Sequence, residues 1–213
     1  MKIASFLITV AMAQVISPDF VYAAEIDLAS VTADFAERDA LPESPAPRSS
    51  WYRHRRFGSW GPPAAAYPQP SIPPEVNPIK WQRARVIAVA EKYIGLPYKH
   101  HHIPGWSPSE GPGLDCSNFT SWVYNYGLGY KFNSNIHMQA DGPKAPGRRL
   151  EQNERFMAGD LLYILRRDRS AVSHVVIYID EGHIIDSHNG SVQTRPFTGW
   201  YRECLSHARR IIE

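Results

Sequence analysis

The chain is built around the stretch LDCSNFTSWVY at residues 114–124. Apolar side chains recur there at spacings of three and four, which predicts the buried face of a helix; they are Phe119, Trp122, Val123 and Tyr126. Asp115 is a good N-cap, so we expect the helix to begin at Cys116. The positive end of a helix dipole favours an anion and therefore a thiolate. Cys116 is either a nucleophile or a buried structural cysteine, and this stretch alone leaves both open.

Length and composition set the class of protein. The chain has 213 residues, a formal net charge of +2 and 43% hydrophobic residues, which is ordinary for one or two globular domains. A dedicated nucleic-acid-binding protein would show a strongly basic surface. We therefore expect no nucleic-acid partner.

The N-terminus has the pattern of an export signal. Residues 3–16 are mostly apolar, follow Lys2, and precede the small-residue site at residues 21–23. The alternative is a retained membrane anchor, but the run is shorter than a typical span and Pro18 follows it. No cysteine lies near the cut to carry a lipid. Residues 1–23 are predicted to be a cleaved signal peptide, and the protein to be periplasmic or secreted without a stable membrane span.

Residues 24–79 differ in composition from the rest of the chain. Ten of the 18 prolines lie between Pro42 and Pro78, and proline does not fit a regular helix or a central strand. We predict an extended, polyproline-like linker. Within it, residues 49–60 alternate arginines with aromatics. These side chains either pack onto the folded domain or contact an acidic polymer or anionic membrane.

Residues 80–213 are predicted to form one α+β domain, with N-terminal helices packed on an antiparallel sheet. A helical stripe covers residues 81–94, and the helix at Cys116 should stop at Gly127 or Gly129. Strand patterns follow at residues 161–165, 174–179, 183–188, 192–195 and 208–212.

A cysteine nucleophile needs a base, and the base needs an orienting partner. His174 begins one predicted strand, and the next strand carries Asp186 and His188. A two-residue turn between these strands would put Asp186 on the opposite face from His174. A three-residue loop would pair Ile179 with His183, bring Asp186 to the same face, and place His188 directly across from His174. The residues alone leave the register open.

Four motifs in order carry a family resemblance: Gly95-Leu96-Pro97-Tyr98, Asp115-Cys116-Ser117-Asn118-Phe119, Ala158-Gly159-Asp160-Leu161 and Ser173-His174-Val175-Val176-Ile177-Tyr178. Over about residues 80–190 the chain resembles the NlpC-type cell-wall cysteine peptidases, which have a papain-like fold. The resemblance implies that Cys116 is the nucleophile and His174 the general base. The third residue would be Asp186, accepting a hydrogen bond from the imidazole Nδ1–H, with His188 as the alternative.

The resemblance also implies roles around the nucleophile. Oxyanion and substrate contacts would come from Tyr98, Asp115 and Ser117, together with the backbone N–H of Cys116. The chain departs from the family where His101 and His102 replace a usual Gly-Gly pair and Asn118 replaces a usual glycine. These departures lie around the cleft, so they bear on substrate choice more than on the nucleophile.

Two further features have simpler interpretations. The histidines at residues 100–102 lack the separated Cys and His partners of a structural zinc site, so we interpret them as a loop that reaches solvent or substrate. No metal or cofactor is expected. Cys204 has no catalytic neighbours except His207 and is predicted to be a packing residue, which leaves Cys116 as a free thiol.

The resemblance implies an exported, monomeric cysteine peptidase whose partner is peptidoglycan. It would hydrolyse an amide in the stem peptide, namely the γ-D-glutamyl–diamino acid bond. One alternative is a CHAP-like N-acetylmuramoyl-L-alanine amidase, which cuts the sugar–peptide junction. The other is a non-catalytic wall-binding module that keeps the fold.

Overall fold

A computed structural model describes residues 27–40, 53–54, 56–59, 66–100 and 113–213. The predicted signal peptide, His101 and His102 lie outside these residues, as do six of the twelve residues 49–60. Within the described ranges, no helix has both the length and the apolar character needed to cross a bilayer.

The described residues contain six helices. In chain order they are α1 (Leu28–Thr32), α2 (Phe35–Ala40), α3 (Pro78–Lys92), α4 (Cys116–Leu128), α5 (Ile136–Asp141) and α6 (Trp200–Glu203).

A six-stranded antiparallel sheet lies against the helices. Two further short strands, β1 (Arg53–His54) and β2 (Gly58–Ser59), form a separate hairpin. The strands of the main sheet are β3 (Arg148–Arg149), β4 (Leu161–Leu165), β5 (Val172–Asp180), β6 (His183–His188), β7 (Ser191–Pro196) and β8 (Leu205–Arg210). Their spatial order is β3-β8-β4-β5-β6-β7. The predicted α+β class is confirmed. The last strand begins earlier than predicted, and β3 was not predicted.

Helix α4 is the central element of the domain. It begins at Cys116 as predicted, because the Asp115 carboxylate accepts the backbone N–H of Asn118 at 2.8 Å. It ends at Gly129, whose φ of 72° is a left-handed conformation that glycine adopts readily. All of its residues are buried, so the helix lies inside the protein rather than on its surface.

The sheet separates two hydrophobic clusters, as strand alternation requires. In β4, Leu161 and Tyr163 face the cluster shared with the helices, whereas Leu162 and Ile164 face the cluster on the other side. Both cysteines are free and buried. Cys116 belongs to the helical cluster and Cys204 to the other.

The described part of residues 24–79 is not uniformly extended, so that prediction is wrong for residues 28–40. These residues form α1 and α2, because the prolines begin only at Pro42 and leave the preceding backbone free to form helix. Val31, Phe57 and Tyr67 are buried in the helical cluster. The prolines therefore indicate extended backbone in only part of residues 24–79, and buried side chains of this segment pack into the domain.

The hairpin of β5 and β6 has the two-residue turn of one predicted alternative and, beyond a bulge, the strand register of the other. The turn has two residues, since Asp180 pairs with His183. A bulge between Tyr178 and Asp180 then shifts the register by one residue, so that Tyr178 pairs with Ile184. Continued at that register, His174 lies across from His188, and Asp186 shares their face of the sheet.

Candidate active site

Cys116 is held at the first residue of α4 by contacts of its neighbours. The Asp115 carboxylate accepts from the Asn118 backbone N–H and, at 3.1 Å, from the Ser117 hydroxyl. All four side chains are buried. Asp115 and Ser117 therefore contact each other beside Cys116 and fix the start of the helix.

His174 brings β5 into contact with both Cys116 and Asp186. Its Nε2 lies 2.6 Å from Oδ2 of Asp186, and its ring interacts electrostatically with Cys116. Because Nε2 is occupied by Asp186, Nδ1 is the nitrogen left for the thiol, the reverse of the predicted arrangement. The physical reason is that Asp186 lies diagonally across the strand pair from His174, where Cα atoms are about 7–8 Å apart. Nε2 is farther from the backbone than Nδ1 and therefore reaches across this separation better.

The charges of this cluster depend on one another. Burial alone lowers the pKa of His174, but the Cys116 thiolate and the Asp186 carboxylate outweigh it and raise that pKa to about 9. Burial raises the pKa of Asp186, but His174 and Arg195 reverse this and hold it below its usual value. Near neutral pH, His174 therefore carries a proton and a positive charge beside the ionised Asp186 carboxylate.

Asp186 has two further partners that the sequence analysis missed. Arg195 of β7 donates its Nε–H to Oδ1 at 2.7 Å, and the Tyr201 hydroxyl of α6 donates to Oδ2 at 3.0 Å. In the β6–β7 ladder Asp186 pairs with Gln193, so Arg195 is its diagonal neighbour. The available signal was the need of a buried aspartate for a cationic partner.

His188 lies beside His174 without replacing Asp186. The two ring centroids are 4.6 Å apart, and the Nδ1 of His188 is 3.3 Å from the Tyr201 hydroxyl. Burial, followed by the positive charge of His174, lowers the pKa of His188 to about 4. His188 is therefore neutral near pH 7, and Asp186 is the anionic neighbour of His174.

Tyr98 reaches the same site from the loop after α3. Its backbone N–H donates to the Gly190 carbonyl at 3.0 Å, and its ring centroid lies 6.4 Å from that of His188. Its hydroxyl is 3.2 Å from the Nδ1 of His100. Burial, and then the negative charges of Cys116 and Asp115, raise the pKa of Tyr98 to about 12, so its hydroxyl stays protonated.

One group of side chains in the described residues has the spacing of metal ligands. The ligand atoms of His174, Asp186 and His188 lie within 4.8 Å of one another. However, Asp186 already accepts from Arg195, Tyr201 and His174. A metal ion would have to displace these donors and approach the Arg195 guanidinium, so the cluster suits proton chemistry better than metal binding.

Curated proteins with similar sequences are bacterial hydrolases and peptidases. A gamma-D-glutamyl-L-lysine dipeptidyl-peptidase from Bacillus cereus is 30% identical over 132 residues, covering 60% of this chain and 36% of the relative. A gamma-DL-glutamyl hydrolase from Bacillus subtilis is 32% identical over 103 residues, covering 48% of this chain and 22% of the relative. The chain thus spans little more than a third of the length of the first relative and less than a quarter of the second.

Solved structures match about two thirds of the chain. An NlpC/P60 family protein from Bacillus cereus aligns with a TM-score of 0.52 and 25% identity, covering 68% of this chain and 42% of the other. The peptidoglycan hydrolase RipB from Mycobacterium tuberculosis shares the fold, with a TM-score of 0.53, 22% identity, and coverage of 67% and 69%. The model of the NlpC/P60 family matches residues 95–210, more than half of the chain. This match includes Cys116, His174 and Asp186, and the chain belongs to the NlpC/P60 family.

Proposed function

We propose that this protein is an exported cysteine hydrolase that cleaves an amide bond in the peptide part of peptidoglycan. One observation carries the proposal: Cys116 at the N-terminus of α4 interacts electrostatically with His174, and His174 is hydrogen-bonded to the buried Asp186. This order supplies a nucleophile, a proton carrier and an orienting carboxylate. Export is supported by the signal-like pattern of residues 1–23.

In the first half of the reaction, the Cys116 thiolate attacks the amide carbonyl carbon. The carbonyl oxygen becomes an oxyanion, which the backbone N–H of Cys116 can stabilise because the first N–H groups of a helix have no partner within the helix. The His174 imidazolium donates its proton to the leaving nitrogen. The C–N bond breaks, the amine departs, and a thioester to Cys116 remains.

In the second half, water hydrolyses the thioester. His174, now neutral, takes a proton from the water as it attacks the thioester carbon. The C–S bond breaks, the carboxylate product leaves, and the Cys116 thiolate and His174 imidazolium are restored. Asp186 keeps the ring oriented and stabilises its charged form in both halves. Tyr98 lines the site and offers a protonated hydroxyl to the substrate.

We propose the γ-D-glutamyl–diamino acid bond as the scissile bond. The names of both curated relatives specify a γ-glutamyl linkage, which supports a γ-glutamyl amide as the substrate class. Peptidoglycan is the proposed partner of the mature protein.

Digestion of purified muropeptides, followed by mass spectrometry, tests the proposal. We expect fragments cut after the γ-D-glutamyl residue, with no turnover by Cys116→Ser. Cys204→Ser is the matched control, because that thiol lies in the other hydrophobic cluster, and it should retain activity. Release of an intact stem peptide from the sugar would identify an amidase instead. Binding to cell wall without products would identify a wall-binding module.

A further inference from the structure

We infer that Arg195 is a positioning residue that keeps Asp186 ionised and directed at His174 through the reaction cycle. The inference rests on the proposed function of Asp186. Arg195 is on β7, outside the cysteine–histidine–aspartate set, and its Nε is 2.7 Å from Oδ1 of Asp186.

The need for a permanent cation follows from the burial of Asp186. Its side chain has an exposed fraction of 0%, and an ionised carboxylate in such a place takes up a proton unless it is paired. The groups that donate to it are His174, Tyr201 and Arg195. Tyrosine supplies only a hydrogen bond, whereas arginine remains charged at every working pH.

The charge of His174 is lost during turnover. When His174 gives its proton to the leaving amine, the imidazolium that compensated Asp186 becomes neutral. The Arg195 guanidinium is then the cation that remains beside the carboxylate. It therefore prevents Asp186 from becoming protonated at the stage when His174 must be ready to accept a proton from water.

The contacts of Arg195 also orient the carboxylate. Its Nε–H donates to Oδ1 of Asp186, and its Nη2 donates to the backbone carbonyl of His188, two residues farther along β6. The guanidinium is thus fixed to β6 at two points. Because Oδ1 is held by Arg195, Oδ2 is the oxygen presented to His174 and Tyr201.

The direction of the pH effect follows from the charge alone. Removing a fixed positive charge raises the proton affinity of each nearby acid and base. Both the thiolate and the carboxylate will therefore take up a proton at higher pH in a variant that lacks the guanidinium. An arginine beside an aspartate lowers the pKa of the carboxyl group, so we expect the pKa of Asp186 to rise when the guanidinium is removed.

The test measures Cys116 alkylation by iodoacetamide as a function of pH, which requires no substrate, alongside kcat and KM on muropeptides. In Arg195→Met, the alkylation midpoint should move to higher pH, because a positive charge near the thiol has been removed. On the acid side, kcat should fall at least about tenfold, the change that one pKa unit implies, with KM within a factor of about two. Arg195→Lys keeps the charge but loses the planar fork, so it should restore the midpoint and recover only part of kcat.

Two comparisons separate positioning from a general structural role. Arg209→Met removes a part-buried arginine that donates to the carbonyls of Pro146 and Gly147, away from the site, and should leave the midpoint unchanged. The double variant Asp186→Asn/Arg195→Met should be no slower than Asp186→Asn, because both changes act through one carboxylate.

Three outcomes decide the inference. An unchanged midpoint in folded Arg195→Met, or additive losses in the double variant, would overturn it. If Arg195→Met does not fold, Arg195→Gln retains a donor without the charge and must show the same shift. If the wild type cuts no muropeptide but the midpoint still shifts, Arg195 keeps its assignment and the proposed substrate is wrong.

Discussion

Oδ2 of Asp186 lies 2.6 Å from Nε2 of His174, and both side chains are almost completely buried. A hydrogen bond between charged groups is among the stronger contacts in a protein, and here water has little access to compete for it. This relationship leaves the opposite ring nitrogen, Nδ1, for Cys116. It also distinguishes Asp186 from His188, whose ring packs beside His174 without a hydrogen bond between the two rings.

Replacing Asp186 should be more damaging than replacing His188. Asp186→Ala removes the carboxylate that orients the imidazole and supports its charge, a loss worth on the order of 10⁴ in kcat in a serine protease triad. A cysteine–histidine pair already holds an ion pair, so we expect a large but smaller loss here. His188→Ala should have a lesser effect, because a neutral ring supports a cation weakly. Measurement of kcat for both variants, with circular dichroism to confirm the fold, decides. Greater damage from His188→Ala would assign the third role to His188.

Replacing His174 should abolish turnover and leave the fold intact. His174→Ala removes the group that carries the proton between thiol, leaving amine and water. The matched control is His183→Ala on β6, since His183 is exposed and pairs only with Asp180 among the ionic partners of the described residues. Turnover of the same muropeptide and thermal unfolding should be recorded for both. Wild-type rates in His174→Ala would move the base to another histidine.

The reaction should decline on the alkaline side near pH 9. The Cys116 thiolate and Asp186 raise the pKa of His174 to about 9 against the opposing effect of burial. Above that pH the ring is neutral and cannot protonate the leaving amine, so acylation slows although the thiolate persists. We expect kcat/KM to fall through a single limb near pH 9, while alkylation of Cys116 stays fast. A fall of both together would indicate that the protein unfolds.

The sequence predicted those parts of the site that have a local signature. Asp115 before Cys116 is both a helix cap and the start of a motif, so the helix start and the cysteine were placed together. His174 lies near the start of β5, within a second motif. The β5–β6 register was harder, because a bulge at Ile179 offsets the two-residue turn, and no residue type marks such a bulge.

Other features depend on contacts between segments far apart in the chain. Arg195 and Tyr201 reach Asp186 only after β7 and α6 pack beside β6, and neither residue belongs to a motif. Helices α1 and α2 were missed because the prolines that follow them dominated the composition of residues 24–79. Their stability comes from buried contacts with α3 and α4 rather than from local propensity.

The two thiols should differ sharply in reactivity. Both are buried, but Cys116 begins helix α4 and interacts electrostatically with His174, an environment of the kind in which reactive cysteines are found. Cys204 lies in the hydrophobic cluster on the far side of the sheet. Iodoacetamide at neutral pH should label Cys116 and spare Cys204, as peptide mass mapping can show. A disulfide joining the two cysteines in the active form would contradict the proposed mechanism.

The N-terminal helices should unfold together with the domain, and Arg85 of α3 tests this. Its guanidinium is buried, donates at 2.6 Å to the carbonyls of Val31 and Gly127, and pairs with Asp34. Arg85→Met leaves two buried carbonyls without these donors and removes a part-buried ion pair, so the free energy of unfolding should fall by about 3–5 kcal/mol, mostly from the unpaired carbonyls. Urea denaturation followed by circular dichroism gives the value.

The control for Arg85 is Arg148→Met, which removes an exposed arginine paired with Glu154 and should leave the free energy of unfolding nearly unchanged, because solvent screens an exposed ion pair. A chain that lacks residues 27–40 should lose at least as much free energy of unfolding as Arg85→Met. The deletion removes Val31 from the core, and it also removes the Val31 carbonyl and the Asp34 carboxylate that Arg85 contacts. If that shortened chain instead unfolds at the wild-type urea concentration, the first two helices are an attached segment rather than part of the cooperative unit.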